Sequence, residues 1–175
     1  EARDFLEAVQ EHYPQHYPFF LCGLRTGMRL GELIGLQWGD VDFRGGFIEV
    51  RRAYFKGRLV TPKNGKSRRI DMSRQLSDTL KTLRAARKRE ALAKGWGEVP
   101  EHVFINEVGK FLDGDNLRRR IFIPALSKAG MRKIRIHDLR HTFASLLIQQ
   151  GESLAYVKDQ MGHHSIQITV DTYGH

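Results

Sequence analysis

Apolar positions in the first third of the chain recur at three- and four-residue spacing, the mark of helices with one buried face. In EARDFLEAVQEH, residues 1–12, Phe5, Leu6 and Val9 share a side and acidic residues come early, where the helix dipole favours them. That segment predicts a helix. YPFFLCGLRTG (17–27) and RLGELIGL (29–36) predict two more, with Gly27 as the C-cap that parts them. WGDVDF (38–43) reads as a turn. The period then shortens. FIEVRRAYF (47–55), GRLVTP (57–62) and SRRIDM (67–72) are short, rich in β-formers and bounded by Gly, Pro or Asn, and they predict a small antiparallel sheet.

Beyond the sheet, SRQLSDTLKTLRAARKREALAK (73–94) predicts a long basic helix, GWGEVPEH (95–102) a loop and VFIN (103–106) a short buried strand. Further helices are expected over 115–129, 138–150 and 153–161. The fold class is therefore α+β, mainly α-helical: a helical bundle with a small antiparallel β-sheet. A chain of 175 residues is long enough to bury one real core, so a single domain is expected.

Charge narrows the partner. Lys and Arg number 29 against 20 Asp and Glu, a formal net charge of +9, with a pI of about 9.9. That balance favours a polyanion, nucleic acid first. Residues 51–69 hold eight Lys or Arg and no acid, and residues 118–140 hold eight more with Asp138 as the only acid. A β-ribbon with no compensating carboxylate repels itself unless an anion lies against it. Cys22 is the only cysteine, which excludes an internal disulfide and suits a reducing cytoplasm. The apolar run PFFLCGL (18–24) is too short to span a bilayer, and no signal peptide opens the chain. The missing initiator Met points to a piece of something longer.

Three short motifs carry candidate chemistry. In TGMRLGELIGLQW (26–38), Arg29 stands at the start of a helix, where the dipole disfavours a cation unless an anion is bound there. In RIHDLRHTFASLLIQQG (135–151), His137 and Arg140 are three apart and share a helix face, a pair suited to one phosphate. His137 and His141 are four apart, and HDLRH resembles a zinc helix with Asp in place of Glu. A zinc site needs a third ligand, and Arg140 beside the pair opposes a dication; nothing in the spacing of His163 requires it to serve. In SLAYVKDQMGHHSIQITVDTYGH (153–175) a helix is ended by Gly162, and Tyr173 comes ten residues after His163. A free tyrosine has a pKa of about 10 and is a poor nucleophile near neutrality, so Tyr173 either packs or is activated by cations or a base.

Taken in order, TGMRLGEL, HDLRHTFAS and GHHSIQITVDTYGH closely resemble the boxes of the tyrosine recombinase family, the phage-type integrases. The match spans 1–175 as that family's catalytic domain, without its N-terminal core-binding domain. The resemblance implies that Arg29 is the first catalytic arginine, with Glu32 the acidic residue beside it. His137 and Arg140 answer to the family's His-x-x-Arg, and His163 to the His or Trp after an LG step, here MG. Tyr173 answers to the nucleophile. The family's hairpin lysine falls in TPKNGKSRRI, where Lys63 is preferred over Lys66.

The same resemblance implies DNA strand cleavage and rejoining through a 3′-phosphotyrosyl intermediate, with a free 5′-hydroxyl. Arg29 and Arg140 would offset charge on the phosphate, Lys63 protonate the leaving oxygen, His137 shuttle the tyrosine proton, and His163 bond the phosphate. Arg51, Arg52, Lys66, Arg68 and Arg69 would contact double-stranded DNA. No cofactor and no metal is expected, and no membrane. The full-length protein is expected to form a tetramer on DNA, with residues 1–175 monomeric alone, and to be cytoplasmic, bacterial or phage-encoded. Competing expectations are a type IB topoisomerase-like enzyme, a non-catalytic DNA-binding module descended from a recombinase, and a metal hydrolase built on His137 and His141.

Overall fold

The computed structural model describes residues 1–62 and 65–174. Its axis is the largely apolar helix α2 (Tyr17–Thr26), with Phe19, Phe20, Leu21, Cys22 and Leu24 fully buried. A helix of that composition needs neighbours on every side. α1 (Ala2–His12) supplies one flank with Phe5, Leu6 and Val9, as its pattern predicts. Phe5 meets Phe20 and Phe122 edge-on, with centroids 5.3 and 5.4 Å apart, the arrangement that ring quadrupoles prefer. The short helix α3 (Leu30–Ile34) comes after α2 and its Gly27 cap.

The predicted sheet is two sheets. β1 (Val41–Asp42), β2 (Phe47–Val50) and β5 (Arg68–Asp71) form a three-stranded antiparallel sheet, while β3 (Ala53–Phe55) and β4 (Arg58–Val60) form a separate hairpin against α3. The expected strand 47–55 breaks at Arg51 and Arg52, which both turn to the buried carboxylate of Asp40, Arg52 at 2.6 Å and Arg51 at 3.8 Å. WGDVDF is a 3₁₀ turn (Trp38–Asp40) running into β1, so part of it is sheet edge.

α4 (Arg74–Lys94) packs on α2 and begins with a cap, the Ser73 hydroxyl accepting from the Leu76 N–H at 3.1 Å. VFIN is buried at Val103 and Phe104 but is not a strand. Its backbone finds partners one at a time: Val103 N–H on Leu36 O and Asn106 N–H on Lys110 O. The helix expected over 115–129 is a continuous rod of α5 (Gly114–Leu117), a π-helical segment (Arg118–Phe122) and α6 (Ile123–Lys128). Pro124 has no N–H to give and crowds the carbonyl four residues back, which is where the turn widens.

α7 (Asp138–Gln149) lies against the other side of α2, and α8 (Leu154–Met161) bridges α7 and β5. A last helix, α9 (Ile166–Tyr173), goes beyond the elements the sequence predicts and packs on α8. Among the described residues no helix is long and apolar enough to cross a membrane.

Candidate active site

Arg140 is the hub. It is 4% exposed, and its guanidinium donates to Gly27 O at 2.7 Å and to Met161 O. Those carbonyls close α2 and α8, so the negative ends of two helices converge on one buried cation and find donors there. Both helices stop on glycine in the left-handed region, Gly27 at φ 65° and Gly162 at φ 72°. At Gly27 a Cβ would also sit 2.4 Å from the Phe143 ring, so the carbonyl that Arg140 holds depends on glycine twice over.

A second clamp joins α3, β5 and α8. Arg68 donates to both carboxylate oxygens of Glu32, at 2.5 and 3.1 Å, and through Nε to Gln160 O at 3.1 Å. Glu32 also accepts from the Arg29 N–H at 2.8 Å, capping α3, and lies 3.6 Å from the Arg29 guanidinium. Burial pushes the Glu32 carboxyl up, but the hydrogen bonds and charge of Arg68, helped by Arg29, more than offset it and hold it below the usual range. Strand parity explains the choice of arginine. Arg68 pairs with Val50 on the inward side, beside Ile48 and Ile70, whereas Arg69 pairs with Glu49 on the outward side. Arg69 is exposed, with its guanidinium 4.3 Å from the centre of the Phe47 ring.

α9 carries Tyr173 back to this hub. His163 Nδ1 bonds the hydroxyl of the fully buried Thr169 at 2.7 Å, pinning α9 to the turn after α8. One turn beyond Thr169, the Tyr173 hydroxyl meets Nδ1 of His141 on α7. The His141 ring stands edge-on to His137, with centroids 5.2 Å apart. Burial raises the Tyr173 phenol above its ordinary pKa and Arg140 partly offsets that, so the hydroxyl is protonated near neutrality. The reciprocal effect appears at Arg140, which burial and then the charges of Arg29 and Arg68 pull down to about 10, against Glu32 and Tyr173. His137 is lowered by burial, then by His141, Arg140, Arg135 and Arg29.

Of the residues singled out in the sequence, Arg29, Glu32, Arg52, Lys66, Arg68, Arg69 and His163 line one cleft of about 680 Å³. A larger cavity, of about 980 Å³, lies between α1, α4 and the loop at 105–112 and contains none of them. Arg140 does not line the cleft, but it is close enough to Arg29 and His163 for their charges to act on one another. Lys63 lies outside the described residues. Arg52 is committed to Asp40, and Arg51 is half-exposed with Glu49 at 2.8 Å. Among the described residues no group of three or more His, Cys, Asp or Glu side chains is placed to hold a metal ion.

Two residues that matter here carry weaker signals in the sequence. His141 stands out there only as a metal-ligand candidate, and its position one turn after His137 is the clue that it shares that face. Arg68 looks like one basic residue among eight, and the alternation of β5 distinguishes it.

His163 titrates far from an ordinary histidine. Burial, then Arg140, Arg29, Arg68 and His164, lower it from 6.5 to about 4. Between those values the unfolded chain takes a proton that the folded chain refuses, so stability falls as pH drops through that window. Thermal melts from neutral pH downward should show this decline, and His163→Gln should flatten part of it. Equal slopes for the two proteins would show that His163 is not coupled to these cations.

A sequence model described as the phage integrase family matches residues 1–175. The Tn1549 transposon integrase, solved as residues 82–397 in complex with circular intermediate DNA, superposes with a TM-score of 0.83 at 25% identity, covering 99% of this chain and 60% of that one. The ICEBs1 integrase of Bacillus subtilis strain 168 is 31% identical over 193 residues, covering 100% of this chain and 49% of that protein. A tyrosine recombinase XerC-like protein of Caldanaerobacter subterraneus subsp. tengcongensis is 29% identical, with the same coverage of 100% and 49%. The fold is thus that of tyrosine recombinase catalytic domains. The chain belongs to the phage integrase family. It spans about half the length of these curated relatives.

Proposed function

We propose that residues 1–175 are the catalytic domain of a site-specific DNA recombinase in which Tyr173 attacks a phosphodiester of double-stranded DNA. The observation that carries this reading is the return of Tyr173, from the far end of the chain, to a hub of Arg140, His137 and His141 beside the Arg29 and His163 cleft. Attack yields a 3′-phosphotyrosine and frees a 5′-hydroxyl, and the phosphotyrosyl ester conserves the energy for rejoining, so neither ATP nor a metal is consumed. Arg29 and Arg140 offset the charge that grows on the non-bridging oxygens, a fixed electrostatic clamp in a partly buried site. Nδ1 of His163 is engaged by the Thr169 hydroxyl, and in the tautomer in which Nδ1 accepts, Nε2–H donates to the phosphate. Lys63, the choice from the family pattern, protonates the leaving 5′-oxygen, and Lys66 is its alternative.

The same reading divides the basic segment. Arg51, Lys66 and Arg69 are exposed and contact phosphates, while Arg52 and Arg68 hold Asp40 and Glu32 and act through position. Four such domains in the full-length protein assemble on DNA as a tetramer, in the cytoplasm, and residues 1–175 alone are monomeric.

The test is a nicked suicide substrate, from which the cleaved fragment diffuses away and traps the intermediate. A covalent protein–DNA adduct is expected, its peptide mapping by mass spectrometry to Tyr173, in excess EDTA as without it. Binding with no adduct would leave a DNA-binding module. Loss of cleavage on chelation, restored by zinc, would replace this reading with a metal hydrolase.

A further inference from the structure

We propose that His141, rather than His137, is the base that takes the proton of Tyr173. The inference rests on Tyr173 being the nucleophile and goes beyond it by naming the atom that receives the proton. The geometry is specific: the ring nitrogen that meets the phenol is Nδ1 of His141, which α7 presents to the last turn of α9. His137 stands at the position before α7, one turn earlier, and meets the His141 ring edge-on, 5.2 Å between centroids. It is the neighbour of the base. The tilted contact between the His141 and Tyr173 rings, 5.8 Å between centroids, leaves the phenol oxygen at the imidazole.

The step balances without a further reactant beyond the proton donor of the leaving group. The Tyr173 O–H bond breaks as its oxygen bonds phosphorus, and the proton passes to His141 Nδ1. The bond from phosphorus to the 5′-oxygen breaks, and that oxygen leaves with a proton from an ammonium group or water. In rejoining, a 5′-hydroxyl attacks and the His141 imidazolium returns its proton to the departing tyrosine oxygen. Burial, then the charges of His141, Arg140, Arg135 and Arg29, disfavours a charged His137, the neighbouring imidazole. Asp138, in the first turn of α7, is a carboxylate that interacts with His141.

The experiment measures adduct formation on the suicide substrate, with three proteins compared by melting temperature to establish folding. His141→Ala removes the base and should slow adduct formation about a hundredfold, the lower end of what general base catalysis contributes. Imidazole added near neutral pH should restore part of that rate in proportion to its concentration, which a purely structural loss would not allow. His141→Asn keeps an acceptor near the Nδ1 position but refuses the proton, and should be as slow as the alanine variant. Adduct formation by His141→Asn within about threefold of the unchanged chain, far short of a general base's contribution, would overturn the proposal. So would an alanine variant that imidazole leaves unrescued. Failure of the underlying reading is distinguishable, because it would appear as an adduct that maps to a residue other than Tyr173.

Discussion

Tyr173→Phe should bind DNA, fold normally and form no detectable covalent adduct. The substitution removes one oxygen whose partner is His141 Nδ1, and the ring keeps its half-buried place against the core. Losing one such hydrogen bond costs about 0.5–1.5 kcal/mol. For a chain of this size that is a fall of roughly 2–6 °C in melting temperature. Cleavage, by contrast, loses its nucleophile outright, and the neighbouring hydroxyls are engaged: Thr169 is fully buried on His163 and Thr172 bonds Ile168 O at 2.8 Å. Denaturing gels of the suicide reaction and a thermal melt measure the two effects separately. An adduct from the phenylalanine variant would remove Tyr173 from the chemistry. A large fall in melting temperature with DNA binding lost would make it a packing residue.

Glu32→Ala is expected to give the largest loss of stability, about 3–5 kcal/mol, as when one partner of a buried ion pair is removed. Glu32 is 8% and Arg68 15% exposed at the side chain, so the guanidinium left behind cannot recover its hydration. It would also lie among the cations that already depress Arg140, with the Glu32 carboxylate that opposes them gone. The α3 cap goes with it, since the Arg29 N–H loses its acceptor. Removing both charges should hurt less than removing one. A Glu32→Gln, Arg68→Met double variant leaves no unpaired ion and should recover much of the loss. Replacing Arg3 or Glu7, an exposed pair at 3.0 Å, should change stability by less than about 1 kcal/mol. Because Glu32 titrates below its ordinary value, its contribution is present above that value and is lost as pH falls through the lower, folded one. Denaturant unfolding of these variants beside the unchanged chain decides the matter. A Glu32→Ala loss no larger than that of the surface pair would mean that the clamp is cosmetic.

What the sequence determined by itself was local. The buried stripe of α1, the long helix α4 and the glycine stops at Gly27 and Gly162 each depend on residues within a turn or two of one another, and each is where the pattern puts it. The three boxes were legible as a set because side-chain identity at fixed spacing needs no tertiary contact to be read. Where the sequence misled, distant neighbours overruled local preference. SIQITVDTY is rich in β-branched residues and no element is predicted for it, yet Thr169 and Tyr173, four apart, both find partners on one side, and α8 holds the segment as helix α9. FIEVRRAYF breaks because Asp40, outside it, attracts two of its arginines. Arg68 and Arg69 are adjacent and chemically identical, and only the register of β5 on β2 turns one to Glu32 and the other to solvent. The choice between His137 and His141 is of the same kind: both lie on one face of α7, and the path of α9 across that face decides which of them meets the tyrosine.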